Sequence, residues 1–299
     1  MLLRAYRAIA ESISEGQVIT PAAEWLVDNF HVVDEQIREI HDDLPRGYYR
    51  QLPKLAEGPL KGYPRVFGIA WAFVAHTDSR FDLETLTRFV RAYQRVQPLT
   101  IGELWAVAIT LRIVLVENLR RSAQRIVTSR EERQEADGAA DRLLGVGIRE
   151  AEPPDVALRR FYGSRLPTAF AVQLVQRLRD KDPAVTPALR WLDERLTAEG
   201  TTSEKIVNEE HQFQGAMSVT VRNVITSMRL MSSVDWTKFF ESVSLVDAVL
   251  RANGNFAAMD FSSRDSYRHA IEELARGSAH TEIEVARSAI QKAQAAEDS

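Results

Sequence analysis

The chain has 299 residues, of which 45% are hydrophobic and 27% are charged, so it can bury a substantial core as one large domain or two smaller ones. Its 38 basic and 42 acidic residues leave a net charge of -4, which gives no general reason to expect a polyanion as partner. The absence of cysteine excludes disulfides, thiolate metal sites and a cysteine nucleophile.

The amino-terminal residues hold short apolar clusters interrupted by Arg4, Arg7 and Glu11, so no secretory signal is expected and the predicted location is cytoplasmic. The most membrane-like segment is 104–119, which contains Arg112. A spanning helix needs roughly 20 apolar residues, and a central arginine is costly there. We therefore predict a buried core helix at this segment.

The first long helical pattern begins at Thr20, a good N-cap, with Pro21 at the first helical position. Its apolar residues recur at steps of three and four up to Leu44, and Pro45 bars continuation. Residues 45–64 contain too many prolines and glycines for a regular element, so they predict a long ordered loop or a set of short turns.

Along the rest of the chain, helix N-cap residues are again followed by segments with the apolar periodicity of a helix. An apolar helix is predicted at 65–76, and a charged helix end or connector is predicted after about Ile126. The predicted helix starts are Asp82, the Thr100 and Glu103 capping box, Asp155, Thr186, Ser203, Asp235, and the Thr281 and Glu284 capping box.

These patterns predict the fold class and a division of the chain. No convincing strand alternation appears, so we expect an all-α array or bundle of about ten helices without significant β-sheet. Glycines, prolines and charges coincide at 145–155. This predicts an N-terminal helical subdomain at 1–150, with its ordered loop at 45–64, and a C-terminal helical subdomain at 151–299 that ends in two short helices.

The end of the first pattern is the candidate functional corner. Neighbouring carboxylates at a helix C-terminus oppose the helix dipole and invite a cation, so an ion-pair network is one reading. A mixture of acids, arginine and tyrosine also suits a sugar, whereas buried tyrosines alone would fasten the loop to the core. The candidate glycan- or domain-contact residues are Asp42, Asp43, Arg46, Tyr48 and Tyr49, and the candidate cations for the two aspartates are Arg46, Arg50 and Lys54.

Other chemistries find little support in the sequence. It has no phosphate-binding glycine loop and no G-x-S-x-G nucleophile motif, and the nearest approach to a di-iron pattern is a single pair, Asp28 and His31. We therefore predict no catalytic residue, no metal and no cofactor. The last helix begins with Thr281, Glu282 and Glu284, whose acidity argues against a nucleic-acid partner.

Long stretches of the chain resemble the N-terminal region of the very large bacterial cyclic β-1,2-glucan synthases. The resemblance covers most of the chain from about residue 20 to residue 293. The strings that carry it are AAEWLVDNFHVVDEQIREIHDDLPRGYYRQLPKL, GYPRVFGIAWAFVAHTDSRFD, FVRAYQRVQPLTIGELWAVAITLRIVLVENLRR, SVTVRNVITSMRLMSSVDWTKFFESVSLVDAVLR and MDFSSRDSYRHAIEELAR.

This resemblance implies a role in building a β-1,2-linked glucan from UDP-glucose at the inner membrane. The chain has no spanning helix and no Q-x-x-R-W motif, so we expect an accessory or scaffolding region at the cytoplasmic face. Its implied partners are the membrane-embedded glycosyltransferase and glucan-processing domains, in cis or in trans, and β-1,2-glucan itself. It would be a fragment, a truncated reading frame or a subunit. The alternative is an independent glycoside hydrolase that uses carboxylates near Asp42 and Asp43.

Overall fold

The computed structural model describes residues 1–44, 47–146, 150–162, 165–179, 186–252 and 254–297. The all-α prediction is confirmed: 77% of the described residues are helical, and they include no strand or sheet. Lys54 and Pro64 form an isolated antiparallel bridge. None of the described helices is long and apolar enough to span a membrane.

The described residues form sixteen α-helices and one short 3-10 turn at Arg159–Phe161. In chain order the helices are α1 (Leu2–Ser14), α2 (Pro21–Asp28), α3 (Phe30–Asp43), α4 (Tyr48–Gln51), α5 (Arg65–His76), α6 (Leu83–Gln94), α7 (Ile101–Leu144), α8 (Pro154–Ala157), α9 (Thr168–Leu178), α10 (Thr186–Ala198), α11 (Ser203–Ser232), α12 (Trp236–Val243), α13 (Leu245–Leu250), α14 (Gly254–Ala258), α15 (Phe261–Arg276) and α16 (Glu282–Glu297).

Several helix starts lie where the capping residues predict them. The side chains of Thr20, Asp82 and Asp235 each accept a hydrogen bond from the backbone N–H three residues later. The two predicted capping boxes are also formed, since each glutamate accepts from the threonine N–H and each threonine hydroxyl accepts from the glutamate N–H. These bonds satisfy donors that a helix start leaves unpaired.

The helices outnumber the prediction partly because two predicted runs are divided. The amide of Asn29 donates to the Trp25 carbonyl at 2.8 Å and separates α2 from α3. Ser244 separates α12 from α13, because its hydroxyl caps the second helix by accepting from the Asp247 N–H at 3.0 Å.

Three other boundaries also differ from prediction. The charged stretch after Ile126 continues α7 as one helix to Leu144. Asp155 is not an N-cap, because α8 begins one residue earlier with Pro153 at the cap position. At α11 the hydroxyl that accepts from the Lys205 N–H belongs to Thr202 rather than Ser203.

Two compact units are present, and each consists of two separate stretches of chain. Unit 1 contains Met1–His31 and Glu117–Arg222, and unit 2 contains Val32–Val116 and Asn223–Ser299. The helices α7 and α11 therefore contribute residues to both units. The subdomains predicted from the sequence, 1–150 and 151–299, are consecutive stretches, and that division stays a prediction.

The core of unit 1 is apolar and is built mainly from α7, α9 and α10. Small side chains on one face of α7, among them Ala136, Ala139 and Ala140, are fully buried. They allow close approach of larger groups such as Phe170 and Leu174, which are also fully buried. Unit 1 is therefore stabilised chiefly by packing.

The core of unit 2 includes α5 and the first part of α7, the segment predicted to be a buried core helix. Leu111 and Val114 are buried there, and so is the single arginine of the segment, Arg112. Its Nε donates to the Gln36 Oε1 at 3.1 Å and forms an ion pair with Glu39 at 2.9 Å. The charge that interrupts the apolar pattern is thus held by polar partners from α3.

Candidate functional site

The predicted ordered loop lies in unit 2, and its described part, 47–64, consists of short hydrogen-bonded turns. Gly47 adopts a left-handed conformation, with φ of 86°, before the single turn of α4. Further along, the Leu55 N–H donates to the Tyr63 carbonyl and the Gly62 N–H donates to the Leu55 carbonyl, both at 2.9 Å. These bonds close the loop beside the start of α5.

The two tyrosines of the corner fasten α4 to α7. The Tyr48 hydroxyl donates to the Gly102 carbonyl at 2.6 Å, and the Tyr49 hydroxyl forms a short hydrogen bond with the Thr110 hydroxyl. Burial raises the pKa of Tyr48 to about 12, and it also raises the pKa of Tyr49. Both phenols therefore stay neutral and act as anchors, as one of the sequence alternatives proposes.

The two aspartates end α3 and are exposed. Among the described residues, neither carboxylate forms the predicted ion pair with Arg50 or Lys54. The third candidate cation, Arg46, lies outside the described residues, so its pairing stays a prediction. The structure brings Asp43 and Tyr48 to one cavity, whose lining does not include Asp42 or Tyr49.

This cavity, which we call the tryptophan cavity, has a volume of about 480 Å³ and lies in unit 2. Its chemically distinctive lining residues are Asp43, Tyr48, Trp105, Arg112, Trp236 and Glu272.

The aromatic walls of the tryptophan cavity are held in place by neighbouring side chains and backbone. Trp105 stacks on Phe240, with ring centroids 4.3 Å apart and planes 12° apart. The Trp236 indole N–H donates to the Met231 carbonyl at 3.2 Å. Both tryptophans are half-buried, so each retains some surface while its orientation is fixed.

A second cavity, which we call the glutamate cavity, shares Tyr48 and Glu272 with the first. It has a volume of about 500 Å³, and its other charged lining residues include Arg65, Arg276 and Glu282. The Glu272 carboxylate accepts from the Arg276 guanidinium at 3.0 Å. Tyr48 and Glu272 therefore contribute to both cavities.

A buried ion pair supports the wall of the glutamate cavity. The Arg65 Nε donates to the Glu103 Oε1 at 2.8 Å, and a second, shorter bond makes the pair bidentate. Burial alone would lower the pKa of Arg65, but the hydrogen bond and charge of Glu103 raise it on balance. Because Glu103 also completes the capping box with Thr100, the pair fixes the start of α7 against α5.

Glu282 joins α16 to the start of α7. Its Oε2 accepts a hydrogen bond from the Ile101 N–H at 2.7 Å. Burial raises the pKa of Glu282 to about 7; the backbone hydrogen bond and Arg276 oppose this rise, whereas the charges of Glu272 and Glu103 add to it. This carboxyl can exchange a proton near neutral pH. Within the described residues, no cluster of three or more His, Asp or Glu side chains could hold a metal ion.

Comparison with known proteins supplies the family context. No protein-family model matches the chain. It is 42% identical over 290 residues to the cyclic β-(1,2)-glucan synthase NdvB of Rhizobium meliloti (strain 1021), a match that covers 97% of this chain. The chain is similar to a segment of a cyclic β-(1,2)-glucan synthase. This confirms the resemblance predicted from the sequence, and the chain spans about a tenth, 10%, of the length of NdvB.

Sequence reasoning missed most of the residues that line the two cavities. The match with NdvB covers nearly the whole chain and therefore does not single out a site. One local signal was available, because Arg112 in an apolar helix indicates a buried polar partner. No comparable signal marks Trp105, Trp236, Glu272 or Glu282, which reach the corner from distant parts of the chain.

Proposed function

We propose that this chain is an accessory, scaffolding region of a cyclic β-1,2-glucan synthase. It supports the UDP-glucose-dependent polymerisation and cyclisation that other domains carry out. The observation that carries the proposal is the identity of 42% to NdvB over 97% of the chain.

The geometry of the corner supports a structural role for most of its polar groups. The Tyr48 and Tyr49 hydroxyls are hydrogen-bonded to α7, and Arg65 is paired with Glu103. Groups committed to such bonds fix helices in place and are less available to a reacting substrate. The arrangement suits a rigid support whose exposed edges contact something else.

The proposed partners are the membrane-embedded glycosyltransferase and the glucan-processing domains of the synthase, together with β-1,2-glucan. The proposed location is the cytoplasmic face of the inner membrane. Within the corner, we assign the contact surface to Asp42, Asp43, Arg46, Tyr48 and Tyr49. The exposed end of α3 lies beside the anchored loop in sequence, so a partner could engage both.

A binding experiment tests this contact surface. The double change Tyr48→Ala with Tyr49→Ala removes both anchors to α7, and we expect weaker binding to β-1,2-glucan or to the remaining synthase domains. Far-ultraviolet circular dichroism should show that helical content is retained. Unchanged binding by a folded double variant would reject the assignment of the corner.

A turnover assay separates the accessory role from the hydrolase alternative. The purified chain is incubated with UDP-glucose and, separately, with linear and cyclic β-1,2-glucans. We expect neither glucan formation nor cleavage. Cleavage that disappears in an Asp42→Asn, Asp43→Asn variant would instead support a glycoside hydrolase that uses these carboxylates.

A further inference from the structure

The tryptophan cavity has the size and lining of a small-molecule site. Its volume of about 480 Å³ lies within the roughly 300–1,000 Å³ that is usual for such sites. Trp105 and Trp236 supply flat apolar surface, and both are fixed by contacts away from the cavity. A rigid aromatic wall lowers the entropy lost when a ligand packs against it.

The polar groups of the cavity differ in how strongly they are already engaged. Arg112 is paired with Glu39, and Glu272 is paired with Arg276. Asp43 is exposed and, within the part of the chain that the structure describes, its carboxylate has no hydrogen-bond or ion-pair partner. A carboxylate accepts through two oxygens, so Asp43 can receive two neighbouring hydroxyl groups.

The charges lining the cavity disfavour strongly charged ligands. Two carboxylates, Asp43 and Glu272, and one guanidinium, Arg112, line the cavity. An anion such as a nucleoside diphosphate would therefore meet net negative charge. A compact cation would meet Arg112 at the same lining. A neutral molecule with one apolar face and several hydroxyl donors matches both the aromatic surface and the Asp43 acceptor.

We infer that the tryptophan cavity binds a neutral saccharide. The sugar ring packs its apolar face on the tryptophans and donates hydroxyl hydrogen bonds to Asp43. The choice of a short β-1,2-linked glucose unit as ligand rests on the proposed function, whereas the saccharide class follows from the lining residues. The inference narrows the predicted contact surface to Asp43 and Tyr48 and adds Trp105, Trp236, Arg112 and Glu272.

The test titrates the purified full chain with a β-1,2-linked glucose disaccharide and longer linear β-1,2-glucans. Tryptophan fluorescence and calorimetry report binding. The change Asp43→Asn should weaken the Kd about tenfold, because a charge-assisted acceptor is lost. Glu35→Gln is the matched control, since this exposed carboxylate of the same helix does not line the cavity, and it should leave the Kd unchanged.

A second variant tests the aromatic wall. Trp236→Leu should weaken binding at least as much as Asp43→Asn, with retained folding checked by circular dichroism. Equal loss in Glu35→Gln and Asp43→Asn, or full binding by both Asp43→Asn and Trp236→Leu, would overturn the cavity assignment. Preferential binding of UDP or of choline would overturn the saccharide class.

If no saccharide binds at a concentration tenfold above a weak Kd of about 1 mM, the inference is also overturned. That result would leave the accessory role untouched, because glucan formation by a synthase carrying this segment measures that role separately. Conversely, saccharide binding with no effect of the segment on glucan formation would reject the accessory role and retain the cavity.

Discussion

The two compact units differ in how deeply they bury their ion pairs. In unit 2 the side chains of Arg268 and Asp247 are only 1% and 0% exposed, and they form a bidentate pair at 2.9 and 2.7 Å. In the described part of unit 1, the deepest ion pair joins Arg133 to Glu210 and leaves the arginine 24% exposed. Unit 1 relies on an alanine- and leucine-rich core, whereas unit 2 also buries charge.

This difference affects how firmly polar side chains are held in each unit. Buried ion pairs contribute little net stability over apolar packing, because removing both charges from water is costly. They do fix the directions of the groups that they join. In unit 2 the buried pair of Arg65 and Glu103 lies beside the glutamate cavity, and the partly buried pair of Arg112 and Glu39 lies beside the tryptophan cavity. These two pairs therefore fix the directions of side chains beside the cavities.

The largest expected effect comes from breaking the deepest pair of unit 2. Asp247→Ala leaves the buried Arg268 guanidinium with Glu241 as its main remaining partner and should lower the free energy of unfolding by about 3–4 kcal/mol. In unit 1, Asp141→Ala removes a half-exposed partner of Arg177 and should change it by less than about 1 kcal/mol. Urea denaturation measures both. Equal effects would contradict the contrast between the units.

The next effect probes the apolar core of unit 1. Leu174 is fully buried, so Leu174→Ala should lower the free energy of unfolding by about 3 kcal/mol through lost packing and a residual cavity. Leu3→Ala, at a position 47% exposed in the same unit, serves as the control and should change it by less than about 0.5 kcal/mol. A small loss at Leu174 would show that packing does not dominate in unit 1.

The ionisation of Glu282 should make the stability of unit 2 depend on pH. Its pKa rises from an ordinary 4.5 to about 7 on folding, so the folded chain binds this proton more tightly than the unfolded chain. The favourable contribution is complete below pH 4.5, falls as the pH rises, and is lost above pH 7. Glu282→Gln removes the ionisation, so it should stabilise the protein at pH 8 by about 1–2 kcal/mol, discounted for partial exposure.

The neighbouring Glu284 is a control of opposite sign. The Thr281 N–H and hydroxyl lower the pKa of Glu284, so its contribution is present above pH 4.5 and is lost as the pH falls. Glu284→Gln should therefore reduce the melting temperature at pH 8, where Glu282→Gln raises it. Shifts of the same sign in the two variants at pH 8 would contradict the burial of Glu282.

The smallest expected effect concerns the anchor between α4 and α7. Tyr48→Phe removes the hydrogen bond to the Gly102 carbonyl and should lower the free energy of unfolding by about 1 kcal/mol. Hydrogen exchange should accelerate in α4. Tyr63→Phe is the control, because the Tyr63 hydroxyl has no hydrogen bond to other described residues and its ring still stacks on Phe67. Equal acceleration in both variants would contradict the anchoring role.

The sequence predicts those features that depend on neighbouring residues. The caps at Thr20, Asp82 and Asp235 succeed because each bond spans three residues. The apolar periodicity does not predict the helix breaks at Asn29 and Ser244. A side-chain hydrogen bond separates the helices at each break, although the apolar pattern continues through it.

The cavity residues could not be predicted in the same way. Glu282 meets Ile101 across 181 positions of the chain, and Tyr48 meets Gly102 across 54. Such pairs depend on tertiary packing, which local periodicity does not encode. The predicted corner thus supplied Asp43 and Tyr48, whereas the tryptophans and glutamates emerged only from the fold.

The most direct test of the accessory role uses the synthase itself. One form of NdvB carries this chain in place of its 42% identical region, and another lacks that region. Membranes containing each form are supplied with UDP-glucose, and the cyclic glucan formed is quantified. The proposed role predicts glucan formation by the chimera and its loss in the deletion. Undiminished glucan formation by the deletion form would contradict it.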